Sequence, residues 1–234
     1  MKTLLTEQNA KTTKGLSKGY LTAILYMAPS TLVDGINVCT FASKGCKESC
    51  LYSAGRGKFN NVQQARIRKT KLFRDNKLEF FNILIKDIIR LEKKAKKRGL
   101  TLCIRLNGTS DLSFEDMLID DKNIFELFPH VQFYDYTKNF TRHNALMATW
   151  NNYHLTFSRS ENKVNQEKAL TLLDAGVNVA MVFDNLPKTY KGFKVIDGDE
   201  TDLRFLDERG VIIGLTAKGD AKKDTSGFVI REAA

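Results

Sequence analysis

From residue 101 onward the chain alternates short apolar runs with longer helical stretches, and no other feature restricts the fold as strongly. Thr101–Leu106 (TLCIRL), Val131–Tyr136 (VQFYDY), His154–Ser158 (HLTFS), Val177–Phe183 (VNVAMVF), Lys194–Ile196 and Val211–Leu215 (VIIGL) read as strands. Helical patterns near Phe114–Phe128, Arg142–Trp150 and Asn165–Ala175 separate the first four. Upstream, Tyr20–Tyr26 reads as a strand, and Val62–Arg74 and Leu78–Arg98 as helices. In the second helix Phe80, Phe81, Leu84, Ile85, Ile88, Ile89 and Leu91 recur at helical spacing, and Gly99 is its stop signal. Apolar strands separated by helices predict a parallel sheet covered by helices. So many in one run favour an α/β fold of TIM-like type, a complete or incomplete barrel, over an open doubly wound sheet. No glycine-rich dinucleotide fingerprint follows any strand, which weighs against the doubly wound alternative. With no repeat and no Pro/Gly linker, residues 1–234 read as a single domain whose polar residues 1–18 form a loose N-terminal arm.

Hydrophobic residues make up 42% of the chain and charged residues 27%, the balance of a soluble globular protein. No apolar run approaches the roughly 18 residues that span a bilayer, so no membrane association is expected. The N-terminus lacks the apolar core of a signal peptide, which predicts a cytoplasmic protein. Thiols stay reduced there, so clustered cysteines point to metal binding or catalysis rather than disulfides. The net charge of +10 keeps nucleic acid open as a partner. Part of that charge is the run Lys86, Arg90, Lys93, Lys94, Lys96, Lys97 and Arg98, which suits the C-terminal end of a helix and reads as a solvated face.

Of the four cysteines, three fall in Cys39-x6-Cys46-x3-Cys50, a loop that follows the first strand. If the stretch after Gly45 is helical, Cys46 and Cys50 share a face. Gly35 and Gly45 permit turns that bring Cys39 toward them. Structural zinc normally takes four ligands, and His130, His143 and His154 are all distant in sequence. Cys103 lies inside a strand and reads as a small buried hydrophobe. An iron–sulfur cluster held by three thiolates, with one iron left open, is the preferred reading.

Polar residues gather where strands end. Alternation puts Cys103, Arg105 and Asn107 on one face of their strand and Leu102, Ile104 and Leu106 on the helix-covered face. Arg105 inside a barrel needs an acidic partner, and Asp199 or Asp202 can supply it. That pair is as readily a structural strut as a binding group. Lys138, Ser158, Ser160 and Asp184 also follow strands, on the end that forms the active face of barrels. Tyr134 and Tyr136 read as core aromatics, and His154 as a structural histidine.

The cysteine segment with its following Tyr52, the strand end Arg105–Asp111 (RLNGTSD), the strand FYDYTK and the tail GDETDLRFLD…GLTAKG together resemble the phage gene product 88 family over roughly residues 20–220. That cysteine segment and βα pattern are similar, at a distance, to radical S-adenosylmethionine enzymes, which bind a [4Fe–4S] cluster through three cysteines after the first barrel strand. The resemblance implies a [4Fe–4S] cluster on Cys39, Cys46 and Cys50 in a protein of the host cell cytoplasm. Redox or radical-type chemistry would be its extension. In that reading a small molecule sits at the open iron, in contact with Arg105, Asn107, Asp111, Lys138 and Ser158. S-adenosylmethionine is one such molecule. However, the radical enzymes space their cysteines Cys-x3-Cys-x2-Cys, and Asn107–Asp111 is not their Gly-Gly-Glu-like element. The alternatives are a metal-stabilised module, zinc or iron–sulfur, that binds nucleic acid without catalysis, and a zinc protein with Cys103 or an external group as fourth ligand.

Overall fold

A computed structural model describes residues 3–7, 10–146 and 149–231. The strands are β1 (Leu5–Thr6), β2 (Tyr20–Leu25), β3 (Thr101–Arg105), β4 (Gln132–Thr137), β5 (Tyr153–Ser158), β6 (Val179–Phe183), β7 (Thr189–Tyr190), β8 (Phe193–Asp197), β9 (Ile212–Thr216) and β10 (Val229–Ile230). The helices are α1 (Ala10–Lys14), α2 (Lys44–Glu48), α3 (Asn60–Asp75), α4 (Lys77–Lys97), α5 (Ile124–Leu127), α6 (Phe140–Leu146) and α7 (Lys163–Asp174). All the strands lie in one 10-stranded sheet of order β1-β2-β3-β4-β5-β6-β9-β8-β7. From β2 through β8 in that order every pairing is parallel. β5 pairs with β6 only at Val179 and Ala180, and β10 takes the vacated edge beside Val182 and Phe183.

The mixed α/β, mainly parallel architecture agrees with the sequence pattern, but the sheet does not close. Antiparallel β1 covers one edge and antiparallel β7 the other, and among the described residues the two edges do not pair. Of the TIM-like expectation, complete or incomplete, the closed barrel is therefore corrected to a mainly parallel sheet with two separate edges. One face carries the larger core, where Leu102, Ile104 and Leu106 meet Phe73, Phe81, Leu84 and Ile88 of α3 and α4. On the other face lies the segment between β8 and β9. Leu203 packs there on Cys103 and Tyr134, and the Phe205 ring stands edge-on to Tyr20 at 5.2 Å. A closed barrel packs strand side chains against one another on its inner face; here an inserted turn, Arg204–Leu206, follows the Leu203 that packs on that face.

Three local expectations change. Residues 3–7, part of the presumed loose arm, are tied down. Leu4 and Leu5 are buried, and their N–H groups donate to Asp87 of α4 at 2.6 and 3.0 Å. The helix expected over Phe114–Phe128 is two short pieces, a 3-10 turn at Phe114–Asp116 and α5. Between them Asp120 and Asp121 adopt positive φ, 49° and 64°, which no helix tolerates. The helix read over Arg142–Trp150 runs from Phe140 to Leu146, and residues 147 and 148 lie outside the described residues. Among the described residues no helix is long and apolar enough to cross a membrane.

Candidate functional site

The loop after β2 carries the three cysteines across the C-terminal ends of the parallel strands. Gly35 turns it with φ +76°. Backbone bonds hold it down, from Val38 N–H to the Ser30 carbonyl at 3.2 Å and from Asp111 N–H to the Val38 carbonyl at 2.8 Å. The Cys39 thiol points at the Thr109 carbonyl, 3.6 Å away. Ser43 caps α2 by accepting from Cys46 N–H. Glu161, just past β5, then clamps this end of the helix: it accepts from Ser43 Oγ at 2.6 Å and from Gly45 N–H at 2.8 Å. Gly45 makes no turn; it lies within α2, and a Cβ there would stand 2.7 Å from Phe228 Cβ. Helix α2 ends at Glu48, so Cys50 lies beyond it rather than one helical turn from Cys46 on a shared face.

Cys39, Cys46 and Cys50 nevertheless line one cavity, of about 230 Å³, at these strand ends. All three are free thiols and partly buried. Burial, reinforced by the charges Cys50, Cys46 and Asp111 would carry, pushes the Cys39 thiol up to about 12. Burial also pushes Cys50 up, against the opposing fields of Arg66 and Lys138. Thiolates here therefore need a cationic centre to neutralise them. Cys103 is not on this cavity. It is fully buried against Tyr134 and Leu203, 3.3 Å from Thr22 Oγ1, so it is removed as a fourth ligand. Among the described residues no three His, Cys, Asp or Glu side chains gather closely enough to hold a single metal ion.

Arg105, Asn107, Asp111, Lys138 and Ser158 line the same cavity, but they are not equivalent. The partner that Arg105 needs is Asp202, with Nη1 3.2 Å from Oδ2, and its guanidinium lies 4.4 Å from the Tyr136 ring centroid. Asn107 is a turn keystone. Its Oδ1 accepts from Ser110 Oγ and Leu112 N–H, while its Nδ2 donates to the Leu112 carbonyl and to Asp135. Asp111 accepts from Lys138 N–H and Thr137 Oγ1 and pairs with Arg142 at 2.9 Å. These three are framework. Lys138 is different: its Nζ donates only to Ser158 Oγ, at 2.9 Å, and it has no carboxylate partner among the described residues. Lys138 and Ser158 are thus the groups a bound molecule can engage.

Beneath the cavity floor, Asp135 accepts from Asn107 N–H at 2.6 Å, and burial pushes its carboxyl up to about 7. Sequence reading missed two contributors to the site. Glu161 follows β5 with no local pattern to mark it. Phe228, which also lines the cavity, returns with the C-terminal segment. Asp199, offered as a partner for Arg105, pairs instead with Lys218 at 2.5 Å, and both line the cavity. The cationic run that ends α4 leads into the N-terminal end of β3, so it lies at the opposite end of the sheet.

A family model described as gene product 88 matches residues 3–232. The chain belongs to the phage gene product 88 family. That match spans every element of the site, from the cysteine loop to the segment bearing Phe228. No curated protein and no solved structure gives a significant match.

Proposed function

We propose that the chain holds a [4Fe–4S] cluster through Cys39, Cys46 and Cys50, and that the cavity they rim receives a small molecule at the remaining iron. The observation that carries this reading is the presence of three free thiols and the Lys138–Ser158 pair on one cavity. A cubane gives each thiolate its own iron, so its ligands surround a space rather than meet at a point. A single zinc with bonds of about 2.3 Å requires sulfurs roughly 4 Å apart, a gathering that the described residues do not make. The donor set fits a cluster better than a mononuclear site. Bound there, the cluster would supply one-electron chemistry and an open coordination position.

The protein's own residues account for the rest. Ser43 and Glu161 hold the helix that carries Cys46. Thr109 orients Cys39. Lys138, steadied by Ser158, offers a cation to an anionic group of the small molecule. Asp111 fixes the backbone of Lys138. S-adenosylmethionine, with its carboxylate, is one molecule of this class, and radical-type chemistry is the extension to test with it.

The test is anaerobic purification with iron, sulfide and zinc analysis and an absorption spectrum. About four irons and four sulfides per chain are expected. Cys46→Ala is expected to lose most of them. A colourless protein with one zinc, or a Cys46→Ala variant with a full cluster, overturns the reading. Formation of 5′-deoxyadenosine from S-adenosylmethionine by the reduced protein tests the extension separately.

A further inference from the structure

Arg66, on α3, is a buried cation outside the site. Its residue surface is 8% exposed, and its Nε and Nη1 are buried without a hydrogen-bond partner. No carboxylate pairs with it among the described residues. Instead its guanidinium lies between two tyrosines, 5.1 Å from the Tyr26 ring centroid and 5.4 Å from that of Tyr52. Burial of a cation in this way is costly unless an anion compensates it.

The surroundings show where that anion belongs. Tyr52 is two residues from Cys50, and the chain from Cys50 to Gly57 folds over the guanidinium. Gly57 makes the fold possible: a Cβ there would stand 2.8 Å from the Tyr52 carbonyl and 3.3 Å from Arg66 Nη2. Cys50 opens this segment, which carries no Asp or Glu of its own, so the anion can come only from what the cysteine holds. Lys69, one turn along α3, has its own compensation from Asp87 and the Leu4 carbonyl, so it makes no claim on the same anion.

We propose that Arg66 is the fixed counter-charge of an anionic cluster at Cys50, clamped by Tyr26 and Tyr52 so that it faces the ligand set from behind. This rests on the cluster reading above. A fixed positive charge beside the cluster favours its reduced, more negative state. Arg66 would therefore raise the cluster's reduction potential and help the apolar cavity retain an anionic centre. It acts through the cluster and is a positioning residue, not a catalytic one.

The experiment compares wild type, Arg66→Met, Arg66→Gln and Arg66→Lys, each purified and reconstituted anaerobically. Iron content, redox titration by electron paramagnetic resonance and thermal melting are measured on each. The neutral variants are expected to keep iron and titrate at a more negative potential, with Arg66→Lys close to wild type. Loss of iron from both neutral variants, with iron kept in Arg66→Lys and melting unchanged in all three, supports the same role. Equal potentials in all four proteins overturn the proposal, because a cation that only staples the two tyrosines would leave the potential where it was. Loss of iron from Arg66→Lys as well also overturns it. A wild type without iron defeats the cluster reading itself, and is distinguishable because it appears before any variant is compared.

Discussion

Replacing Asp202 with asparagine leaves Arg105 charged in a space built for a pair. The two side chains are 9% and 3% exposed, so water cannot solvate the charge that remains. Asparagine keeps the size and one acceptor for Tyr134, whose hydroxyl donates to Asp202 at 3.1 Å. The change therefore isolates the charge. Removing one partner of a buried pair costs about 3–5 kcal/mol. In a chain of this size each kcal/mol lowers Tm by about 2–4 °C, so a fall of roughly 6–20 °C is expected. In urea, an m value of about 3 kcal/mol/M converts the same loss to a midpoint lower by roughly 1–2 M. Replacing both charges, Arg105→Met with Asp202→Leu, is expected to recover most of the loss. The residual deficit is about 1–2 kcal/mol, from the Tyr134 hydroxyl left without its acceptor. The assay is urea unfolding followed by circular dichroism on all three proteins. An Asp202→Asn variant within about 1 kcal/mol of wild type, or a double variant no more stable than the single, refutes the argument that this ion pair holds the inserted turn against the sheet.

Two further outcomes follow from particular contacts. Gly45→Ala forces a Cβ to 2.7 Å from Phe228 Cβ and 3.0 Å from Glu161 Cδ, so α2 must shift; a loss of about 1–3 kcal/mol is expected. Hydrogen exchange should locate it in residues 39–50 and 226–228, and unaltered exchange there would show that the close packing is not needed. Burial, aided by the charges of His143 and Arg204, holds His154 down to about 4 against its ordinary 6.5. The unfolded chain then takes up a proton that the folded chain refuses, so stability falls as pH drops from 6.5 toward 4. Relative to His154→Gln, wild type should lose at most about 3 kcal/mol across that window. Parallel stability–pH curves for the two proteins would count against the buried, neutral imidazole.

Much of the strand pattern was legible because alternation is a local property. Leu102, Ile104 and Leu106 face the helices and Cys103 and Arg105 face the opposite side, as period two requires. The helix misread over Phe114–Phe128 shows where such patterns fail. Phe114, Phe125 and Phe128 are all core residues, but the chain reaches them through a turn at Asp120–Asp121 rather than along one helix face. The loose-arm reading failed at residues 3–7 for another reason. Leu4 and Leu5 are too short a run to register as a strand, and they are ordered by Asp87, a residue 83 and 82 positions away.

The three cysteines were found through their clustering and the five polar candidates through the ends of strands; all eight line one cavity, but their roles were not legible. By itself the sequence determined that the chain builds a parallel sheet under helices, and that three thiols lie on the loop after its first long strand. Only the tertiary structure decided that, among the described residues, the two edges of the sheet stay apart, and that the segment bearing Leu203 and Phe205 packs on Cys103, Tyr134 and Tyr20. It also decided that Arg105 is committed to Asp202 while Lys138 keeps an uncompensated charge toward the cavity. The physical reason is reach. Periodicity and turn chemistry act over a few residues, whereas Arg105 meets Asp202 across 97 positions and Ser43 meets Glu161 across 118. Such pairings exist only once the sheet has brought both ends to one place.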